Sequence, residues 1–159
     1  MSEIEIKTKS NDDALELVAF CVGDQEYCVN IMSVREIRGW TKETSLPLTP
    51  AYVRGVINLR GSVVPVIDLA SRLGLEQTEP SARHVIIIMQ IGEQAVGLVV
   101  DAVSDILTIL KEKIQPTPDV SSEAARGFVE GVLAMEERMI NLLDLGTVLP
   151  RDTIEGIAA

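Results

Sequence analysis

Residues 54–69 read Arg54-Gly55-Val56-Ile57-Asn58-Leu59-Arg60-Gly61-Ser62-Val63-Val64-Pro65-Val66-Ile67-Asp68-Leu69, and a diverged copy follows without a gap at 130–145. Gly55 corresponds to Gly131, Val56 to Val132, Asp68 to Asp144 and Leu69 to Leu145. Between these anchors apolar meets apolar: Ile57 with Leu133, Leu59 with Met135, Val64 with Ile140, Val66 with Leu142. The polar middle does not repeat. Asn58, Arg60 and Gly61 correspond to Ala134, Glu136 and Glu137. Shared positions are those a duplicated fold requires, and polar positions kept in one copy are candidates for function.

A second gapless match supports the duplication. Residues 18–37 align with 87–106, with Gly23 on Gly92, Gln25 on Gln94, Val34 on Val103 and Ile37 on Ile106. The two matches differ in offset by seven residues, which places an insertion in the polar, proline-bearing stretch around Gln115 to Glu123, read as a loop. In each copy a hairpin comes first. Val18, Phe20 and Val22, then Tyr27, Val29 and Ile31, alternate with the period of a half-buried strand pair around Gly23-Asp24. A third strand is expected over Val34–Arg38, a one-turn helix near Pro50–Val53, and a second hairpin, Gly55–Leu59 with Val63–Ile67, turning at Arg60-Gly61. Asp68 then stands where an aspartate can accept from free amides at the start of a short helix, Leu69–Leu73.

Five short strands per copy predict a mainly β protein built as two tandem five-stranded barrels with short helical turns. The boundaries implied are 15–80 and 81–150, with tails 1–14 and 151–159 expected to be poorly ordered, although Thr153–Ile157 can extend a closing helix. A copy of this length buries too little surface to be robust alone. The two barrels are therefore expected to share an apolar seam and unfold together.

Composition narrows the function. The chain has 159 residues and a formal net charge of −10, which argues against a nucleic-acid partner because phosphate binding needs a basic surface. The opening Met-Ser-Glu-Ile-Glu-Ile-Lys has no cationic region followed by an apolar stretch, so no secretory signal is expected. No apolar run approaches the ~18 residues of a membrane span, and the longest, Ala95–Val100, predicts a buried strand. A cytoplasmic protein without membrane insertion is expected. Two cysteines and one histidine are too few for a Cys/His zinc cluster within the chain.

Catalytic constellations find little support. The repeat-related Asp68 and Asp144 invite comparison with duplicated aspartic proteases, but each is followed by Leu. Cys21 and Cys28 are expected nearly opposite each other across the first hairpin, as small buried thiols. His84 is expected at the surface. Charge is more informative. Arg35, Arg38, Lys42, Arg54 and Arg60 crowd a short stretch against Glu36 and Glu43 in an otherwise acidic chain. Arg60 holds a turn whose counterpart is Glu136, and a guanidinium there can bind a carboxylate through two parallel hydrogen bonds. Asn58 can fix that turn or meet a partner's backbone.

The motif Arg54–Leu69, with Pro50-Ala51-Tyr52-Val53 before it and Val34-Arg35-Glu36-Ile37 earlier, closely resembles the CheW family of bacterial chemotaxis coupling proteins, from about Leu17 to Leu149. The resemblance implies a single CheW-like domain of two SH3-like barrels and a non-enzymatic adaptor without cofactor or metal. It implies two partners: the regulatory domain of the histidine kinase CheA, and the cytoplasmic tips of methyl-accepting chemoreceptors, docked at an apolar groove near the barrel junction. It further implies a monomer when free, recruited to receptor arrays at the inner face of the membrane. Carried over by motif, the partner-binding positions are Val34, Glu36 and Ile37 on the third strand, and Gly55, Asn58, Arg60 and Gly61 on the second hairpin. An equivalent adaptor in twitching motility or another receptor–kinase pathway is the alternative, with a small-ligand-binding barrel behind it.

Overall fold

Where the strands find their partners is set by the hydrophobic pattern of the two matched hairpins. The computed structural model describes residues 14–76, 79–117 and 127–149. Ten strands carry the fold: β1 (Ala14–Val22), β2 (Gln25–Asn30), β3 (Val34–Gly39), β4 (Val53–Leu59), β5 (Ser62–Asp68), β6 (Val85–Ile91), β7 (Gln94–Val100), β8 (Ala102–Leu110), β9 (Val129–Met135) and β10 (Arg138–Leu143). Two short helices, α1 (Leu69–Arg72) and α2 (Leu145–Val148), follow β5 and β10. The protein is mainly β, with two five-stranded sheets, as the sequence predicts.

The sheets do not divide the chain at residue 80. One has the order β3-β6-β7-β5-β4 and the other β8-β1-β2-β10-β9. Each sheet therefore takes its leading hairpin from one repeat and its remaining three strands from the other. The boundaries 15–80 and 81–150 are corrected accordingly: the barrels are interleaved rather than consecutive. The exchange is symmetric in detail. Parallel pairing joins Val66 to Gly97 and, at the repeat-related positions, Leu142 to Cys28. Bulges likewise recur, at Val34/Glu36 and at Ala19/Phe20 opposite Val103 and Asp105.

Each sheet closes on itself. Just beyond β3, Thr44 pairs with Val56 of β4, and just beyond β8, Gln115 pairs with Val132 of β9, so opposite edges meet. We call the barrel of β3–β7 barrel I and the other barrel II. Closing an edge removes unpaired amides from solvent. Gly55 and Gly131 are shared because that closure presses on them. A Cβ at Gly55 would lie 2.7 Å from the Thr44 carbonyl carbon, and one at Gly131 would lie 3.1 Å from the Gln115 carbonyl oxygen.

Three apolar clusters fill the molecule. Leu17, Ala19, Cys28, Leu133 and Ile140 fill barrel II, and Ile57, Val64, Val66, Ile86 and Ile88 fill barrel I. The largest cluster is the seam: Val18, Phe20, Tyr27 and Val29 from β1 and β2 against Ile87, Met89, Val96 and Leu98 from β6 and β7. Alternate residues of β1 and β6 therefore point into a barrel and into the seam. The leading hairpins, expected to be half-buried, are buried on both faces, and the unbroken runs Leu17–Phe20 and Ile86–Met89 are the signature of that.

Smaller expectations are refined. Asp68 starts α1 as predicted and its repeat partner Asp144 starts α2 in the same way, accepting from the Ala70 and Gly146 amides at 3.1 Å. Pro50–Val53 is a single hydrogen-bonded turn rather than a helix, with Val53 N donating to Pro50 O at 3.0 Å. Ala14, assigned to the tail, lies in β1, where it pairs with Leu110. The expectations for 1–13 and 151–159, and for the insertion beyond residue 117, fall outside the described residues. Among the described residues no helix is long and apolar enough to cross a membrane.

Candidate functional site

The predicted site gathers on one flank of barrel I. The β4–β5 hairpin turns through Arg60 and Gly61, both in the left-handed region at φ 51° and 89°. Gly61 accepts that backbone without cost, and Arg60 takes it because the turn demands it. Asn58 Oδ1 receives the Gly61 amide at 2.8 Å, so Asn58 fixes the turn. The hairpin tip leans toward β3, where Arg60 Nη2 meets Glu36 Oε1 at 2.5 Å. The Arg60 side chain is 67% exposed and Glu36 30%, so the pair is presented to solvent and remains open to a partner. The hydrogen bond from Arg60 holds the Glu36 carboxyl below its ordinary range, with the positive charges of Arg60, Arg38 and Arg35 acting in the same direction.

Val63 on β5, 60% exposed, places apolar surface beside Arg60, and Ile37, 41% exposed, lies on the opposite face of β3 from Glu36. A cleft of about 520 Å³ beside the tip is lined by Arg35, Leu59, Arg60, Val63, Glu93 and Gln94. Other cations of the basic stretch are engaged: Arg35 donates to Gln90 at 3.1 Å and Arg54 to Glu43 at 3.1 Å.

Two predicted positions serve the fold. Val34 is half-buried and packs against the seam, and Gly55 is buried beneath Thr44. Glu36, Asn58, Arg60 and Gly61 come together at the hairpin tip, whereas Ile37, opposite seam residue Ile87, takes the other face of β3 from Glu36. His84, expected on the surface, is half-buried, with Nδ1 accepting from Ser81 N at 3.0 Å and Nε2 lying 3.5 Å from Asp101. Cys21 and Cys28 are not opposite each other, because Cys21 faces Glu26 and Cys28 faces Ala19. Both thiols are free, and burial pushes Cys28 up to about 12.

Barrel II carries a related cluster that sequence reasoning missed. Arg138 on β10 donates from Nε to Glu26 Oε1 at 3.2 Å and from Nη2 to the other carboxylate oxygen. Nη1 reaches Asp105 at 3.5 Å, and Ser104 Oγ donates to Glu26 at 2.9 Å. The Arg138 bond holds Glu26 below its ordinary range against the cost of burial. Asp105 is the repeat partner of Glu36. The signal was present in the alignment: acids at matching positions imply a cation on the matching hairpin, which here lies two residues past the Arg60 equivalent. Exposed Ile106 and Met139 occupy the positions of Ile37 and Val63.

A third feature lies where the chain crosses between barrels. The 3₁₀ turn Ile31–Ser33 connects β2 to β3, and Met32 on it is 86% exposed. It borders a groove of about 270 Å³ with Ala14, Leu15, Glu16, Asn30, Ile31 and Thr108.

Interleaved double barrels that present ion pairs and apolar residues to solvent have the surface chemistry of a protein-binding module. A CheW-like domain model matches residues 16–153. A "Probable chemotaxis protein CheW" of Rhizobium etli is 61% identical over 135 residues, 85% of this chain and 87% of that one. "Protein FrzA" of Myxococcus xanthus is 31% identical over 84% of each chain. A crystal structure of the scaffolding protein TtCheW from Thermoanaerobacter tengcongensis superposes with a TM-score of 0.78 and 33% identity, covering 87% of this chain and 94% of that one. The chain belongs to the CheW-like family.

Proposed function

We propose that the protein is a non-enzymatic adaptor that couples transmembrane chemoreceptors to the histidine kinase CheA in chemotaxis, working in the cytoplasm at the inner face of the membrane. The observation that carries this reading is the pairing of two different surfaces on one packed frame. The first is the barrel I flank. There Val63 supplies apolar contact, with Ile37 adding to it from the other face of β3, and Glu36, Asn58 and Arg60 supply directional hydrogen bonds that set register. The second is the junction groove, where Leu15, Ile31 and Met32 offer apolar contact and Glu16 and Asn30 polar contact, a mixture that suits a receptor's amphipathic helical hairpin tip. A seam of close-packed side chains holds the two surfaces at a fixed separation, so displacement at one is felt at the other.

Val34, half-buried, and Gly55, buried, complete the proposed partner-binding set and shape it from beneath. The barrel interiors are filled by their own side chains, which disfavours the ligand-binding alternative. The likeness to FrzA keeps a second receptor pathway in view, and the much higher identity to a chemotaxis CheW favours chemotaxis.

The test is a reconstituted assay with receptor, kinase and this chain. The wild type is expected to confer receptor-dependent kinase activation and to be retained by the CheA regulatory domain. Failure of the wild type in both assays at low salt removes the basis of the proposal.

A further inference from the structure

We propose that Arg72 is the positioning residue that fixes the angle between the two barrels. It is the last residue of α1, on barrel I, and its guanidinium reaches across to barrel II. Nε donates to the Val148 carbonyl at 2.7 Å and Nη2 to the Thr147 carbonyl at 2.9 Å, at the end of α2. Those carbonyls stand at the C-terminal end of the helix, where partial negative charge favours a cation. The same guanidinium lies over two rings, 4.7 Å from the centroid of Tyr52 and 4.8 Å from that of Phe128.

Tyr52 and Phe128 are repeat partners. Each is tied to the helix start of its own barrel: the Asp68 amide donates to Tyr52 O and the Asp144 amide to Phe128 O, both at 2.8 Å. Arg72 therefore touches matching parts of both halves at once, close to the axis that relates them. Its own repeat partner is Val148, the residue whose carbonyl it binds. Two arginines would place like charges in one slot, so a single guanidinium fits where the symmetric pair does not. Planarity matters. Stacking uses the faces of the group and hydrogen bonding uses its edge, and an ammonium cannot do both. The close-packed seam holds the barrels at a fixed separation, and these directional contacts at its edge add a constraint on the angle between them.

The role of this latch in signalling rests on the adaptor reading, but its geometry does not. The test places spin labels at Ser62→Cys on barrel I and Thr108→Cys on barrel II, in a Cys21→Ser background, with buried Cys28 left unlabelled. Arg72→Met is expected to keep the strand content and to broaden the distance distribution between barrels. Arg72→Lys, which retains charge and stem, is expected to broaden it less and serves if the Met variant does not fold. In the reconstituted assay the Met variant is expected to bind the regulatory domain as the wild type does and to lose receptor-dependent activation. A folded variant with wild-type distance width overturns the proposal, and so does full activation from a variant with broadened distances. A wild type that confers no activation would instead sink the adaptor reading and leave the distance result standing.

Discussion

Replacing Gly55 with alanine tests the barrel closure, and its cost follows from the geometry. Gly55 has φ +144°, a conformation that L side chains rarely adopt, and its missing Cβ would overlap the Thr44 carbonyl. Forcing a side chain into that backbone costs about 1–3 kcal/mol. Relief requires Thr44 to move away, which breaks two hydrogen bonds with Val56 of 2.8 and 2.9 Å. Each is worth about 0.5–1.5 kcal/mol. The sum is about 2–6 kcal/mol, a large part of the ~5–15 kcal/mol that typically holds a domain. Gly131→Ala is expected to cost less, about 1–3 kcal/mol, because the nearest obstacle is the Ile114 side chain, which can shift. Urea denaturation gives both values, and amide exchange locates the damage. The expected result is lost protection at Thr44 and Val56 in Gly55→Ala. A loss below about 0.5 kcal/mol with both amides still protected would refute the reasoning.

Other expectations follow from the same contacts. Arg60→Ala should leave the thermal midpoint nearly unchanged, because the pair is solvent-exposed, yet weaken kinase control; a large fall in midpoint would make Arg60 structural. Val64→Asp should unfold barrel I, and with it the chain, because Val64 is 1% exposed in an apolar cluster; circular dichroism showing a native fold would refute the register. Acid should destabilise the fold through Glu26, which binds protons less readily folded than unfolded, so its stabilisation is complete above the ordinary 4.5 and is lost as pH falls through its folded value. Glu26→Gln should flatten that acid limb of the melting curve, and an unchanged limb would contradict the assignment. Glu130 works in the opposite sense. Burial and then Asp144 raise it, so stability is lost as pH rises through its folded value, and Glu130→Gln should raise the midpoint near neutrality. Cys28, buried and with its thiol pushed up to about 12, should resist a thiol reagent in the native state, while the less buried Cys21 is reached first; labelling of both at equal rate would place Cys28 wrongly.

Much of this fold was legible because its elements are specified locally. The turn at Arg60-Gly61, the strands beside it and the helix starts at Asp68 and Asp144 all follow from short-range chemistry. The exchange of hairpins was not. A repeat shows which residues are equivalent, but Val66 beside Gly97 and Val66 beside Cys28 would satisfy the same apolar pattern. The choice is made by the crossovers, Ile31–Ser33 and Asp101, which carry the chain between sheets. The site was read in part. Asymmetry between the copies pointed to Asn58 and Arg60 at the surface. It said nothing of Arg72 or Arg138, whose partners Thr147, Val148, Glu26 and Asp105 are distant in sequence. Gly55 belonged to the motif for a reason internal to the barrel.

One experiment bears most directly on the frame itself: expressing residues 1–80 and 81–159 as separate chains, then mixing them. If each barrel needs a hairpin from the other half, neither piece alone shows a cooperative melt, and the mixture recovers one transition together with binding to the CheA regulatory domain. A sharp, independent transition from either piece by itself would mean that the halves are self-sufficient and that the interleaving is wrong.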